Sequence, residues 1–231
     1  MRNHNILISG GSGALGLTLT RHMVSGSGKI NLLVNSERSM DRIRREFSSG
    51  EMAQIEMIRT NVLDENQVAS AFTRAGNVEV LIHLVGGFAM GDTDSFSLAD
   101  WDRQIDLNLK SAFLLCKYAL KTMRKNGYGR IVTVASRAAL QPAAKQAAYS
   151  AAKAGLVALT KSIAEETKGT GITANVVAPG TIDTPANREA MGAESAASWV
   201  NPLALAEIIA FLASEKAGEL RGAVIPVDGN N

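Results

Sequence analysis

Tyr149-Ser150-Ala151-Ala152-Lys153 sets a phenol and an ammonium four residues apart in a stretch with helical patterning. Residues four apart share a helix face, so both groups point the same way. A free phenol titrates near ~10, too high for a good base near neutrality. A neighbouring cation favours the phenolate and lowers that value. Such a pair moves a proton to or from an alcohol oxygen. The spacing is common on solvated helices, so its meaning depends on what the rest of the chain supplies.

A second feature lies near the start. Ile6-Leu7-Ile8 runs into Ser9-Gly10-Gly11-Ser12-Gly13-Ala14-Leu15-Gly16, and a helical pattern follows at once. Missing side chains let a pyrophosphate approach the main chain, and the helix start offers free N–H groups and a positive dipole end. Gly10, Ser12, Gly13, Ala14, Leu15 and Gly16 are therefore candidate dinucleotide contacts. The end of the next apolar run should meet the adenine ribose. It reads Val34-Asn35-Ser36-Glu37-Arg38, with no carboxylate at the tip itself. Asn35 and Ser36 can hydrogen-bond a 2′-phosphate, and Arg38 can pair with it bidentately. NADP(H) is preferred on this ground. NAD(H) stays open, because Glu37 could instead hold the ribose with Arg38 a solvated charge.

The elements that must position these groups alternate along the chain. Short runs rich in Ile, Val and Leu at 5–9, 30–35, 55–60, 80–85, 130–135, 173–178 and 223–227 lack strict alternation, as strands buried on both faces do. Helical patterns fill 14–25, 40–48, 65–75, 98–125, 147–168 and 203–214, with Asp64 and Asp100 placed as N-caps. The expected fold is α/β: one Rossmann-type domain over 1–231, a doubly wound parallel sheet of about seven strands with helices on both faces. The stretch 180–202 reads as irregular, with Pro185, Pro202 and many small residues. A loop that long is usually functional or disordered. A lid over a ligand, around 183–202, competes with a surface excursion of no role.

Bulk properties narrow the field. The 231 residues are 46% hydrophobic and 20% charged, with a net charge of +2, which argues for neither a nucleic-acid nor a membrane partner. No apolar run nears the ~18–20 residues of a membrane span. The single cysteine, Cys116, excludes an internal disulfide and reads as a small buried hydrophobe. With no secretory signal and an apolar run from Asn5, the cytoplasm is the expected location. No metal site is expected.

Taken in order, these pieces resemble the short-chain dehydrogenase/reductase family from Ile6 to Asp228. Ser9–Gly16 resembles its nucleotide turn, and His83-Leu84-Val85-Gly86 stands where it has Asn-Asn-Ala-Gly. Asn108 matches its helix asparagine, and Ser136 lies thirteen residues before Tyr149, its usual interval. Pro179-Gly180, Thr184 and Val227-Asp228-Gly229 match its later segments.

The resemblance implies hydride transfer between a nicotinamide and a carbonyl or alcohol. It makes Tyr149 the general acid in reduction or base in oxidation, and Lys153 the holder of the nicotinamide ribose. It gives Ser136 the substrate oxygen and Asn108 a relay water. It places Val85 and Gly86 at the cofactor, Ile182 at the carboxamide, and Thr184 at the carboxamide or pyrophosphate. It also implies a homodimer or homotetramer built on the helices at 98–125 and 147–168.

Three positions depart from the family pattern. Ala14 replaces a glycine, Asn61-Val62 replaces the adenine-contacting Asp-Val, and His83-Leu84 replace both asparagines. His83 reads either as a catalytic group or as a partly buried strand-end residue. The overall layout is similar to the family's 3-oxoacyl-carrier-protein reductases. The segment 183–191, with Ser198-Trp199, is similar to its dihydropteridine reductases, which reduce a quinonoid pterin without the serine. A catalytically idle dinucleotide sensor is the reading from another class. Arg188 meets an anionic substrate group or is a solvated lid charge. Phe88, Met191 and Trp199 are candidates to line an apolar pocket.

Overall fold

The computed structural model describes residues 4–26 and 28–230. In chain order the strands are β1 (Ile6–Ser9), β2 (Ile30–Val34), β3 (Ile55–Arg59), β4 (Val80–His83), β5 (Tyr128–Val134), β6 (Gly171–Pro179) and β7 (Val224–Val227). The helices are α1 (Ala14–Val24), α2 (Glu37–Glu46), α3 (Ser49–Met52), α4 (Glu65–Ala75), α5 (Leu98–Ile105), α6 (Ser111–Asn126), α7 (Ala147–Glu166), α8 (Pro185–Met191) and α9 (Pro202–Leu212). All strand pairs are parallel, and the sheet order is β3-β2-β1-β4-β5-β6-β7. This is the expected Rossmann-type sheet of seven strands.

Every residue of β1, β2 and β4 is buried, so both faces must be covered. On one face Ile8, Leu32, Val132 and Val177 pack with Leu19 and Met23 of α1 and Leu205 and Ile209 of α9. On the other, Leu7, Leu81, Ile131 and Ala174 pack with Phe72 of α4, Leu115 and Met123 of α6 and Ile163 of α7. The strand order reverses between β1 and β4. In such sheets a crevice opens there beyond the carboxyl ends, where ligands bind. Ser9 and His83 end these two strands in register.

Local chemistry explains most boundaries. Asp64 caps α4 as expected, accepting from the N–H groups of Asn66 and Gln67. Asp100 does not cap α5. Ser97 does, accepting from Asp100 N–H at 3.1 Å and donating to the Asp100 carboxylate at 2.7 Å. The carboxylate thus sits at N3 and completes the first turn rather than starting it. The pattern at 40–48 starts earlier, at Glu37, because the Ser36 hydroxyl caps α2. The short α3 follows a capping box between Ser48 and Glu51.

Two expectations need larger correction. The helix expected over 98–125 is interrupted by a π-helical turn at Asp106–Lys110, with Ser111 N–H reaching Asp106 O. Here Asn108 Nδ2 bonds the Gln104 carbonyl oxygen and competes with the regular backbone ladder. The stretch 180–202 is not irregular throughout. Thr184 caps α8, a 3-10 turn spans Ala196–Ser198, and Ile182 bridges Val200. Among the described residues no helix is long and apolar enough to cross a membrane.

Ser97→Ala is expected to cost about 1 kcal/mol of stability. Asp100→Ala should cost less, since it leaves the cap itself in place. Urea midpoints of both variants check this, and the reverse order contradicts the cap assignment.

Candidate active site

β5 ends at Val134, and Ser136 follows as the cap of a 3-10 turn at Arg137–Ala139, accepting from Ala138 N–H at 3.2 Å. α7 then brings Tyr149 back over this strand end. The Ser136 side chain stands beside the Tyr149 phenol, and Phe88 packs edge-on against the Tyr149 ring at 5.0 Å between centroids. One turn further along α7, Lys153 is 4% exposed and donates to the Val134 carbonyl oxygen at 3.0 Å. Its Nζ lies 5.9 Å from the centre of the Tyr149 ring. Serine, tyrosine and lysine, widely separated or only helically spaced in sequence, therefore meet at the carboxyl end of β5.

Burial sets the ionisation of this cluster. It pushes the Lys153 ammonium down to about 8. It raises the Tyr149 phenol above its ordinary value, and the neighbouring Ser136 side chain is the opposing influence. The expectation that Lys153 depresses the phenol is not met in this chain alone: the ammonium is directed to Val134 O, and desolvation prevails.

Asn108 joins the cluster from the π-turn. Its amide donates to Gly87 O at 2.9 Å and to Gln104 Oε1 at 3.2 Å, while Oδ1 accepts from Gly87 N–H at 3.1 Å. This clamps the segment after β4. A Cβ on Gly86 would stand 2.8 Å from Asn108 Oδ1 and 3.1 Å from Lys153 Nζ, so only glycine lets the three approach. Val85 beside it is half-buried. Lys145, in the left-handed region at φ 65°, accepts from Gly91 N–H at 2.9 Å and pairs with Asp92 at 3.4 Å. These contacts tie the 86–96 loop to the start of α7.

The glycine-rich turn sits across the crevice. Gly13 is the cap residue of α1 and offers no side-chain acceptor, so no side chain caps this helix start. A Cβ on Gly16 would stand 2.4 Å from Gly10 O and 2.7 Å from Gly11 Cα, which keeps turn and helix in contact. Ser12, Ala14 and Leu15 are half-buried along this start, so alanine at 14 is accommodated in the first helical position. An uncapped helix start under a side-chain-free turn is a cradle that fits a pyrophosphate.

At the tip of β2, Ser39 Oγ donates to Asn35 Oδ1 at 3.1 Å and shares a 3.0 Å hydrogen bond with Ser36. Glu37 is held by Arg44 at 2.9 Å, while Arg38 is exposed on α2. Asn61 accepts from Leu63 N–H and stays exposed, with Val62 half-buried beside it. Beyond β6, buried Pro179 leads to half-buried Gly180, Ile182 and Thr184, whose hydroxyl is used as the α8 cap.

Other expectations resolve differently. His83 is fully buried, not partly, and burial holds its imidazole down at about 3. Cys116 is buried with its thiol pushed up to about 12, an inert group. Arg188 pairs bidentately with Asp183 at 2.5 and 2.7 Å. Trp199 is buried and Met191 exposed, so they do not line one pocket with Phe88. A cavity of about 230 Å³ beside the start of α7 is lined instead by Ala89, Phe96, Leu98, Trp101 and Ala148 among others. Sequence reasoning missed Phe96 and Trp101. They lie where a loop turns into α5, and no periodicity marks them as pocket residues.

A parallel sheet with a glycine cradle at its switch point and a Ser-Tyr-Lys cluster across from it, half-buried at Ser136 and Tyr149 and buried at Lys153, defines a dinucleotide-dependent oxidoreductase. The chain belongs to the short chain dehydrogenase family, whose model matches residues 4–195. It is 30% identical over 239 residues to the 3-oxoacyl-acyl-carrier-protein reductase MabA of Mycobacterium tuberculosis, covering 98% of this chain and 92% of that protein. It is also 30% identical to D-beta-hydroxybutyrate dehydrogenase of Cupriavidus necator, over 96% of this chain and 95% of that one. The solved structure of ElxO with NADP bound matches with a TM-score of 0.91 and 27% identity, covering 98% of both chains. The protein is an oxidoreductase that transfers a hydride between a nicotinamide dinucleotide and a carbonyl or alcohol substrate.

Gly86→Ala is expected to lower kcat about tenfold or more, because small displacements at a reacting centre are costly. Steady-state kinetics beside an unfolding midpoint check this. Unchanged kcat contradicts the close approach of Asn108 and Lys153.

Proposed function

We propose that the chain reduces a 3-oxoacyl-type carbonyl with NADPH, using Tyr149 as proton donor. The observation that carries this reading is the Ser136 side chain set beside the Tyr149 phenol, one helical turn from the buried Lys153 ammonium. Relatives such as MabA and D-beta-hydroxybutyrate dehydrogenase bear names of 3-oxoacyl or β-hydroxy chemistry, which supports the substrate class. The presence of Ser136 beside the phenol favours a carbonyl over a quinonoid pterin.

The nicotinamide, when bound, supplies the hydride. Tyr149, kept protonated by burial, donates its proton to the carbonyl oxygen. Ser136 donates a second hydrogen bond to that oxygen, and both bonds strengthen as negative charge builds there. Lys153 holds the ribose and supplies positive charge beneath the phenol. Asn108 Oδ1 keeps a second lone pair beyond its bond to Gly87, enough to hold a relay water toward Lys153. Backbone N–H groups at Ala14, Leu15 and Gly16 receive the pyrophosphate, with Gly10, Ser12 and Gly13 shaping the turn, where Gly13 N–H donates to Gly10 O. Val85, Gly86, Asn61 and Val62 line the adenosine and ribose side. Pro179, Gly180, Ile182 and Thr184 approach the carboxamide, and the segment 183–202 covers the substrate.

NADP(H) is preferred because Glu37 is engaged by Arg44, leaving Asn35, Ser36 and Arg38 to meet a 2′-phosphate. Support for a homo-oligomer comes from exposed faces of α6 and α7 that carry Phe113, Ala151, Ala154 and Ala158.

Tyr149→Phe should reduce NADPH oxidation on a 3-oxoacyl thioester by about 100-fold or more, since positioned acid catalysis supplies about that factor. Turnover equal to the unaltered enzyme on every accepted substrate contradicts the proton transfer. Arg38→Ala should raise KM for NADPH about tenfold and leave NADH unchanged, the loss of one charge-assisted pair. Tighter binding of NADH than NADPH in the unaltered enzyme overturns the cofactor choice.

A further inference from the structure

The last residues of β1 and β4 meet in the fold at a fully buried imidazole. Ser9 Oγ lies 2.8 Å from His83 Nδ1, and Ser111 Oγ lies 3.3 Å from His83 Nε2. Ser111 in turn donates to the Leu107 carbonyl oxygen at 2.7 Å. All three side chains are fully buried.

The proton directions follow from this inventory. A serine hydroxyl has one hydrogen. Ser111 uses its own on Leu107 O, so it accepts from His83 Nε2–H. His83 Nδ1 is then unprotonated and accepts from the Ser9 hydroxyl. Each buried polar group is satisfied by the neutral imidazole alone. A second ring proton would face a hydroxyl already directed at it, in a site that burial and the Lys153 charge both make hostile to an imidazolium.

The chain of bonds joins three segments of the dinucleotide site. Ser9 immediately precedes Gly10 of the glycine-rich turn. His83 precedes the Leu84–Gly87 segment, whose Gly87 is clamped by Asn108. Leu107 and Ser111 bracket Asn108 across the π-turn. An asparagine at position 83 is too short to bridge Ser9 and Ser111 together, whereas the imidazole presents two nitrogens on opposite sides.

We infer that His83 is a positioning residue of the dinucleotide site, a neutral bridge that locks the glycine-rich turn to the π-turn of Asn108. The inference rests on the functional reading above. Its Ser9 arm sets the pyrophosphate turn, and its Ser111 arm sets the Asn108–Gly86–Lys153 geometry where chemistry occurs. The two arms therefore separate in kinetics. Asparagine at 83 keeps an acceptor near the position of Nδ1, and glutamine keeps a donor near that of Nε2.

The test measures three things on the full chain: NADPH affinity by tryptophan fluorescence titration, kcat at saturating NADPH, and the unfolding midpoint. Ser9→Ala and His83→Gln should weaken NADPH binding about tenfold with kcat within about threefold, as expected for one lost hydrogen bond to a binding element. Ser111→Ala and His83→Asn should lower kcat about tenfold with NADPH affinity within about threefold, since misplacement at the reacting centre acts on turnover. If a His83 variant does not fold, the two serine variants carry the same split. Variants that lose only thermal stability, with affinity and kcat unchanged, overturn the inference. So do affinity and kcat falling together in every variant, the mark of a merely structural histidine. An unaltered protein that binds NADPH yet reduces no carbonyl overturns the functional reading alone. In that case the titration still decides the Ser9 arm, and NADPH affinity unchanged in Ser9→Ala and His83→Gln overturns the inference.

Discussion

The buried ammonium of Lys153 is the constraint around which the site is built. A charge removed from water is costly unless its surroundings are tightly arranged. Here the amine reaches the Val134 carbonyl oxygen at the end of β5, beside a glycine that leaves it room and close to Asn108. β5 must end where it does, α7 must cross it at this height, and the segment after β4 must lie flat at Gly86. Tyr149 one turn earlier on α7 inherits its position from the same crossing. The phenol then meets Ser136, which the 3-10 turn after β5 presents from the other side.

The sheet makes this convergence possible. With all strands parallel, every carboxyl end opens on the same edge, so the loops after β1, β4, β5 and β6 share one rim. The glycine-rich turn after β1 and the catalytic cluster after β5 come from distant parts of the chain, with β4 between them. The two buried faces hold the strands at this spacing through clustered aliphatic side chains, with Ile8 and Leu19 in one cluster and Leu7 and Leu115 in the other. The π-turn adds local adjustment. It widens the α5–α6 run just enough to turn Asn108 inward onto Gly87, in keeping with the tendency of such bulges to mark functional sites.

Much of this was legible in the sequence because the signals were periodic or chemically marked. Apolar runs gave the seven strands, and the Asp64 cap and the α4 boundaries followed from capping chemistry. The glycine turn and the Tyr149–Lys153 spacing were visible as residue types at fixed offsets. What escaped was set by three-dimensional competition. Asp100 and Ser97 both suit a helix start, and only their mutual hydrogen bonds decide which one caps. A π-turn keeps the apolar periodicity of its flanks and leaves no mark in composition. The phenol of Tyr149 was expected to be lowered by a cation; the depth of its burial, which no spacing reveals, raises it instead. His83 ends its strand as expected, but its full burial and its bridging escaped notice because its partners, Ser9 and Ser111, lie 74 and 28 positions away.

The charge on Lys153 is open to direct test through its titration. Burial brings its ammonium down to about 8, so it is positive below that pH and neutral above it. With NADPH as the varied substrate, kcat/KM reports ionisations of the free enzyme. Carbonyl reduction should then hold level through neutrality and fall about tenfold per pH unit above about 8, as a single essential proton is lost. A profile that stays level to pH 10 contradicts a site organised around that buried charge.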